Sequence, residues 1–115
     1  MARILVVEDE PLITMMLEDW LAELGHTSAG PAGSVQAALT LIEEGGIDAA
    51  ILDVNLAGSD CRPAAEALEV NGIPYVFATG DSSAMIVRQF PHISTLSKPY
   101  TFDAIAALLA NLLKT

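Results

Sequence analysis

The stretch Ile47-Asp48-Ala49-Ala50-Ile51-Leu52-Asp53-Val54-Asn55 decides the fold. Ala49 to Leu52 is an apolar run without Gly or Pro, preceded by Gly45-Gly46 and followed by a polar loop. Such a run predicts a strand buried on both faces of a parallel sheet, since it lacks the apolar–polar alternation of a half-solvated strand. It ends in a carboxylate. Burying an unpaired charge is costly, so Asp53 belongs at the carboxyl end of the strand, where open α/β sheets place their sites. On this strand alone Asp53 serves equally well as a site residue or as a cap of the next turn.

On either side of this stretch, strand and helix alternate along the whole chain. Arg3 to Val7 is a short, largely β-branched strand that runs into Glu8-Asp9-Glu10. Pro11 suits a first helical turn, and Ile13, Met16, Leu17, Trp20, Leu21 and Leu24 follow at helical spacing until Gly25. His26 to Ala29 is a weak strand candidate. Ser34 caps a second helix that runs through Glu44, with Val35, Ala38, Leu39 and Ile42 inward and Gly45-Gly46 as its stop. After the Asp53 strand and a loop from Asn55 to Asp60, Pro63 opens a third helix, which Asn71-Gly72 ends. Pro74 to Thr79 is a fourth strand, Ser82 to about Phe90 a short helix, and His92 to Ser97 a fifth strand. Thr101 caps a last helix with Phe102, Ile105, Leu109, Leu112 and Leu113 on one face and Asp103 in its first turn. This alternation predicts an α/β fold, a parallel sheet with helices on both faces.

Composition narrows the function. The 115 residues are 52% hydrophobic and 17% charged, the length and balance of a single globular domain. Mean hydropathy is +0.46. Five basic against fifteen acidic residues give a net charge of −10. Arg3, Arg62, Arg88, Lys98 and Lys114 form no cluster, so the footprint for direct binding of nucleic acid is missing. Acidity favours cationic ligands and partners with basic patches. Cys61 is the one cysteine, so the chain has no internal disulfide and fits a reducing cytoplasm. The apolar run from Ala104 to Ala110 is too short to span a membrane, and no signal peptide precedes the first strand.

The chemistry emerges when the strand ends are compared. Strand one ends at Glu8-Asp9, strand three at Asp53, strand four at Thr79 and strand five at Lys98. In a parallel sheet these ends share one edge, which gathers three carboxylates, a hydroxyl and an ammonium. Two like charges about 4 Å apart repel by roughly 4 kcal/mol at an effective dielectric of 20. A hard divalent cation held by oxygen relieves that repulsion, and magnesium, which keeps several waters, suits a site with few protein ligands. Such a pocket invites a phosphoryl group, with Asp53 as the carboxylate nucleophile and Thr79 and Lys98 holding phosphoryl oxygens.

With Glu8-Asp9, Asp53, Thr79 and Lys98-Pro99 at these spacings, the chain resembles the receiver domains of two-component response regulators, of the chemotaxis-receiver-like, stand-alone type. Pro74-Tyr75-Val76-Phe77-Ala78-Thr79-Gly80 also resembles the Phe-Ala-Thr-Gly receiver subgroup of alphaproteobacteria, although Asp81 comes next and no Tyr follows. The resemblance implies a flavodoxin-like (βα)5 fold over residues 1–115, a doubly wound five-stranded parallel sheet in the order 2-1-3-4-5. It implies that Asp53 accepts a phosphoryl group from a histidine kinase or phosphotransfer protein in a phosphorelay. Asp9, Asp53 and the backbone carbonyl of Asn55 would ligate magnesium, with Glu8 acting through water. Thr79 would carry the conformational signal, Lys98 would pair first with Asp53 and then with the phosphoryl group, and the Lys98-Pro99 bond would be cis. Output would pass to a downstream protein target through contacts of a cytoplasmic monomer or weak homodimer, without a membrane or direct nucleic-acid role.

Two positions depart from that pattern. Receivers often carry an aromatic three residues before the lysine, and here that residue is Thr95. The loop after Asp53, Asn55-Leu56-Ala57-Gly58, lacks the common proline. Asn55 and Asp81, each two residues beyond a site residue, would flank the phosphoryl group and tune its hydrolysis.

Other readings are weaker. A haloacid-dehalogenase-type phosphatase needs a second aspartate where Asn55 stands, and a nucleotide- or flavin-binding fold needs a glycine-rich first loop instead of Glu8-Asp9-Glu10-Pro11. The alternative kept beside the phosphoacceptor is a receiver-fold interaction module that is never phosphorylated. His26 and His92 read as surface or strand-edge residues, Met15, Met16 and Trp20 as packing residues, Glu43-Glu44 as a solvated helix end, and Cys61 as an unactivated thiol at a helix start.

Overall fold

The computed structural model describes residues 2–56, 60–80 and 85–114. Its elements in chain order are β1 (Arg3–Val7), α1 (Pro11–Glu23), β2 (Thr27–Ser28), α2 (Val35–Glu44), β3 (Ala49–Asp53), α3 (Arg62–Val70), β4 (Tyr75–Thr79), α4 (Met85–Gln89), β5 (Thr95–Ser97) and α5 (Phe102–Leu112). The five strands form one sheet in the order β2-β1-β3-β4-β5, and every neighbouring pair is parallel.

Strand alternation divides the core in two. Leu5 and Val7 of β1, Ala50 and Leu52 of β3, and Tyr75 and Phe77 of β4 pack on one side. There they meet Ala38 and Ile42 of α2, Ala64, Ala65 and Leu68 of α3, and Ile86 of α4. Their neighbours Ile4, Val6, Ala49, Ile51, Val76 and Ala78 face the other side against Leu17 and Leu21 of α1 and Ile105 and Leu109 of α5. All residues of β3 and β4 are buried, which is why neither strand alternates in sequence.

Local signals fix the helix ends. The Ser34 hydroxyl accepts from the Ala37 N–H and the Thr101 hydroxyl from the Ala104 N–H, each capping its helix start. Gly25, at φ +85°, follows the end of α1 in the left-handed region that glycine adopts without strain.

Several sequence expectations shift. β5 is shorter than the span from His92 to Ser97, because the Ile93 N–H turns back to the Phe90 carbonyl and Pro91 has no N–H to donate. β2 is trimmed from His26–Ala29 to Thr27–Ser28, and His26 uses its ring Nδ1 to accept from the Ala2 N–H. α3 starts one residue before Pro63 and extends to Val70. Met15 projects outward at 60% exposure, so it is not a packing residue, whereas Met16 and Trp20 pack against the α1–α5 side. On α2, Ala37 and Leu41 join Val35, Ala38 and Ile42 against the core, and Leu39 is only half-buried. Phe102, Leu112 and Leu113 are likewise half-buried, and the edge of Trp20 meets Phe102 at 5.9 Å between ring centres. The expected helix start at Ser82 lies outside the described residues. The Lys98-Pro99 bond is cis as expected, and Gly30-Pro31 is cis as well.

Leu5 is fully buried at the centre of the α2–α3 side, whereas Val70 is 85% exposed at the end of α3. Leu5→Ala is expected to lower unfolding free energy by about 2–5 kcal/mol. Val70→Ala should stay within about 0.5 kcal/mol. Urea unfolding at fixed pH and magnesium measures both.

Candidate functional site

Sheet order builds the site. β3 lies between β1 and β4, so Asp53 at its end sits between the Glu8-Asp9 end of β1 and the Thr79 end of β4. β5 brings Lys98 across from the far side of β4, and the Lys98 N–H bonds to the Thr79 carbonyl at 3.1 Å. One carboxylate oxygen from each of Glu8, Asp9 and Asp53 lies within 4.8 Å of the others.

Lys98 Nζ donates to Asp53 Oδ1 at 3.0 Å and lies 3.6 Å from Glu8 Oε1. The same Asp53 Oδ1 accepts from the Asn55 N–H at 3.0 Å, which fixes the carboxylate above its own turn. Glu8 Oε2 accepts from the Asp9 N–H at 3.1 Å. Glu8, Asp53 and Thr79 are each 2% exposed, while Asp9 and Asn55 face solvent. The site is therefore a buried floor with an open mouth.

Burial, then hydrogen bonding to Asp53 and its charge, push the Glu8 carboxyl up to about 7, against the opposing pull of Lys98 and the Asp9 N–H. Burial pulls the Lys98 ammonium down. Its hydrogen bond to Asp53 and the charges of Asp53 and Glu8 outweigh that pull and hold it above its ordinary value. One ammonium thus serves two buried carboxylates, and Glu8 Oε1 has no hydrogen-bond partner among the described residues. A buried carboxylate oxygen whose nearest cation, Lys98, stands at an ion-pair distance of 3.6 Å, beside two further carboxylates, fits an oxygen-ligated hard cation.

The sequence-selected residues Glu8, Asp9, Asp53, Asn55, Thr79 and Lys98 are thus brought to one edge of the sheet. Asp81 and the loop positions Ala57 and Gly58 lie outside the described residues. Glu10, left out of the metal set, is exposed. Cys61 is buried at the start of α3, and burial followed by the charge of Asp60 pushes its thiol up to about 11, so it is no activated nucleophile. Tyr100 was not anticipated. It is 8% exposed, and burial, then the charges of Glu8, Asp53 and Glu10, raise its phenol above the ordinary value. Its place two residues after Lys98 was the available signal.

His92 is exposed, as read from the sequence, and Tyr75 lies in β4, but the contact that joins them to Glu69 was not anticipated. The Tyr75 hydroxyl donates to Glu69 Oε2 at 2.8 Å, and His92 Nε2 lies 2.6 Å from the same oxygen. This group sits at the amino end of β4, the opposite end from Thr79.

Residues 4–110 match the family model for the response regulator receiver domain. SdrG from Pseudomonas melonis Fr1, solved in solution in its BeF3-activated conformation, is 52% identical with a TM-score of 0.83, over 97% of this chain and 96% of that one. The crystal structure of the response regulator PhyR from Brucella abortus is 33% identical with a TM-score of 0.85, over 97% of this chain and 47% of that one. The transcriptional regulatory protein PdtaR of Mycobacterium tuberculosis is 35% identical over 111 residues, 92% of this chain and 54% of its own. The chain spans about half the length of the curated relatives PdtaR and PhyR of Methylorubrum extorquens. Its fold, its strand-end residues and its match over residues 4–110 agree: the chain belongs to the response regulator receiver domain family.

Proposed function

We propose that Asp53 is a phosphoacceptor, charged by the phosphohistidine of a histidine kinase or phosphotransfer protein. The observation that carries this reading is the buried Asp53 carboxylate, paired with Lys98 at 3.0 Å and set within 4.8 Å of two further carboxylates. The BeF3-activated conformation of SdrG, a 52% identical relative, supports it, because BeF3 on a carboxylate oxygen has the tetrahedral shape of a phosphoryl group.

In the transfer, an Asp53 oxygen attacks phosphorus and forms the acyl phosphate. The N–P bond breaks, and its electron pair returns to the donor imidazole. Lys98 is poised to leave Asp53 Oδ1 for a phosphoryl oxygen, and the Thr79 hydroxyl to take another. Asp9, Asp53 and the Asn55 carbonyl would hold magnesium, with Glu8 acting through water. When bound, the ion supplies positive charge to the incoming phosphoryl oxygens. Hydrolysis reverses the state: water attacks phosphorus, inorganic phosphate leaves, and the Asp53 carboxylate is restored. The chemistry makes the domain a signalling switch or a store of phosphoryl groups, read out through protein contacts.

The deciding experiment incubates wild type and Asp53→Asn with acetyl phosphate, with and without magnesium. Label is expected on wild type alone and only with magnesium, seen as an 80-Da gain typical of one phosphoryl group (about 80 Da, lost on alkaline treatment). Equal label on both proteins would place the phosphoryl group on another residue and overturn the Asp53 assignment, whereas label on neither would leave the chain with the reading of an unphosphorylated interaction module.

Glu8 provides a second test through stability. Its folded-state value of about 7 lies above the ordinary 4.5, so between these pH values the folded chain holds a proton that the unfolded chain has lost. Metal-free stability should therefore fall as pH rises through this window and level off above it. Glu8→Gln should flatten the slope and raise Tm at pH 8 by about 5 °C. Magnesium should stabilise wild type more than the variant at pH 8. Thermal melts from pH 4.5 to 8, with magnesium or chelator, check each outcome.

A further inference from the structure

Thr95, where receivers often carry an aromatic, is exposed and has no ring with which to report a change at Thr79. The structure holds a different aromatic path. Tyr75, Phe77 and Thr79 alternate onto one face of β4. The Phe77 ring meets Tyr75 edge-on at 5.6 Å and Phe90 at 5.9 Å between centres, and Phe90 stands 6.3 Å from the His92 ring. His92 then meets Glu69 Oε2 at 2.6 Å, and the same oxygen accepts from the Tyr75 hydroxyl at 2.8 Å. The path closes on itself: Tyr75, Phe77, Phe90, His92, Glu69, and back to Tyr75.

Three elements are joined by this ring. Tyr75 and Phe77 are fully or nearly fully buried in β4, Glu69 lies in the last turn of α3, and Phe90 and His92 lie between α4 and β5. The backbone follows the same route, since the Phe77 N–H bonds to the Ser94 carbonyl, the Phe90 N–H to Ile86 and the Ile93 N–H to Phe90. The Tyr75 hydrogen bond, then the one from His92, holds the Glu69 carboxyl below its ordinary range, so the oxygen closing the ring is an ionised acceptor.

We infer that the ring of Tyr75, Phe77, Phe90, His92 and Glu69 is a latch that holds the α4–β5 segment in its resting position and is released when Asp53 is occupied. This rests on the phosphoacceptor reading above. In the structure the latch is closed while Lys98 is paired with Asp53 at 3.0 Å. Thr79 lies two residues beyond Phe77 on the same strand face, and a packed aromatic cannot follow a shift of its strand without repacking its neighbour. Occupancy of Asp53 therefore works against Phe77–Phe90 packing, and through it against the exposed His92–Glu69 contact. The segment released includes His92, which at 60% side-chain exposure is open to a protein partner.

Binding linkage is reciprocal: whatever occupancy of Asp53 does to the latch, breaking the latch does to occupancy. Glu69→Ala and Phe90→Leu open the ring at separate points and lie outside the phosphoryl-binding residues. The probe is BeF3 with magnesium, titrated against uniformly 15N-labelled protein and read from the Val54 and Asn55 amides. Each variant should bind BeF3 about threefold or more tightly than wild type. The double variant should gain less than the product of the two. Unchanged or weakened binding in either variant, or a fully multiplicative double variant, overturns the latch, even where Tm falls, since lost stability alone marks a structural role. Wild type that gives no BeF3 shift at Val54 and Asn55 overturns the phosphoacceptor reading and the latch together. Shifts there with latch-independent affinity overturn the latch alone.

Discussion

The site depends on an imbalance: one ammonium, Lys98, stands against three carboxylates gathered at one edge of a dry sheet. Water would screen such a cluster, but Glu8 and Asp53 are both 2% exposed. Their repulsion is felt at an effective dielectric well below that of water. The fold tolerates this because its central strands supply little except burial. Ala49, Ala50, Ile51 and Leu52 anchor β3 on both faces, so Asp53 cannot swing away to solvent without moving a strand that is buried along its whole length. Burial first, then the hydrogen bond to Asp53 and its charge, push the Glu8 carboxyl up to about 7.

Topology explains why these particular residues meet. An order of 2-1-3-4-5 places the winding reversal between β1 and β3, the position at which open α/β sheets form a crevice. Glu8-Asp9 and Asp53 flank that crevice directly. Thr79 lies one strand further, and Lys98 must reach from beyond β4, which only a long side chain on the β5 turn achieves. The backbone bond from Lys98 to Thr79 ties the cation's position to the hydroxyl-bearing strand. The backbones that carry the hydroxyl and the cation are therefore tied to each other beside Asp53.

Local chemistry made much of this legible from sequence. Apolar runs marked β1, β3 and β4, Ser34 and Thr101 marked helix starts, and polar residues at successive strand ends marked the site, because parallel strands must share an edge. The misses have a common physical origin in contacts distant along the chain. β5 was overextended because the residues from Phe90 to Ile93 fold into a turn, with His92 held by Glu69, which lies 23 residues away. No periodicity encodes such a pair. Helical spacing likewise placed Met15 beside Met16, but only the direction from which β1 and α5 approach α1 decides which of the two is covered. Tyr100 was not singled out in the sequence and Tyr75 was read only as part of the fourth strand, although burial, then neighbouring carboxylates, raises both phenols.

The departure at Thr95 separates chemistry from its readout. The charged and hydroxyl groups of the site sit on strand ends that any sheet of this order presents. Under the proposed function a readout travels through side chains packed against β4, and the short exposed hydroxyl at residue 95 packs against little. Register makes the alternative specific: Phe77 pairs with Thr95 across the β4–β5 ladder, so the ring missing from β5 is matched by a ring on the strand beside it. Phe77 is fully buried and points to the α4 side, whereas an aromatic at 95 would lie at the sheet edge. Moving the ring inward by one strand shifts the surface that can respond away from the outer edge of β5 and toward the turn that carries Phe90 and His92.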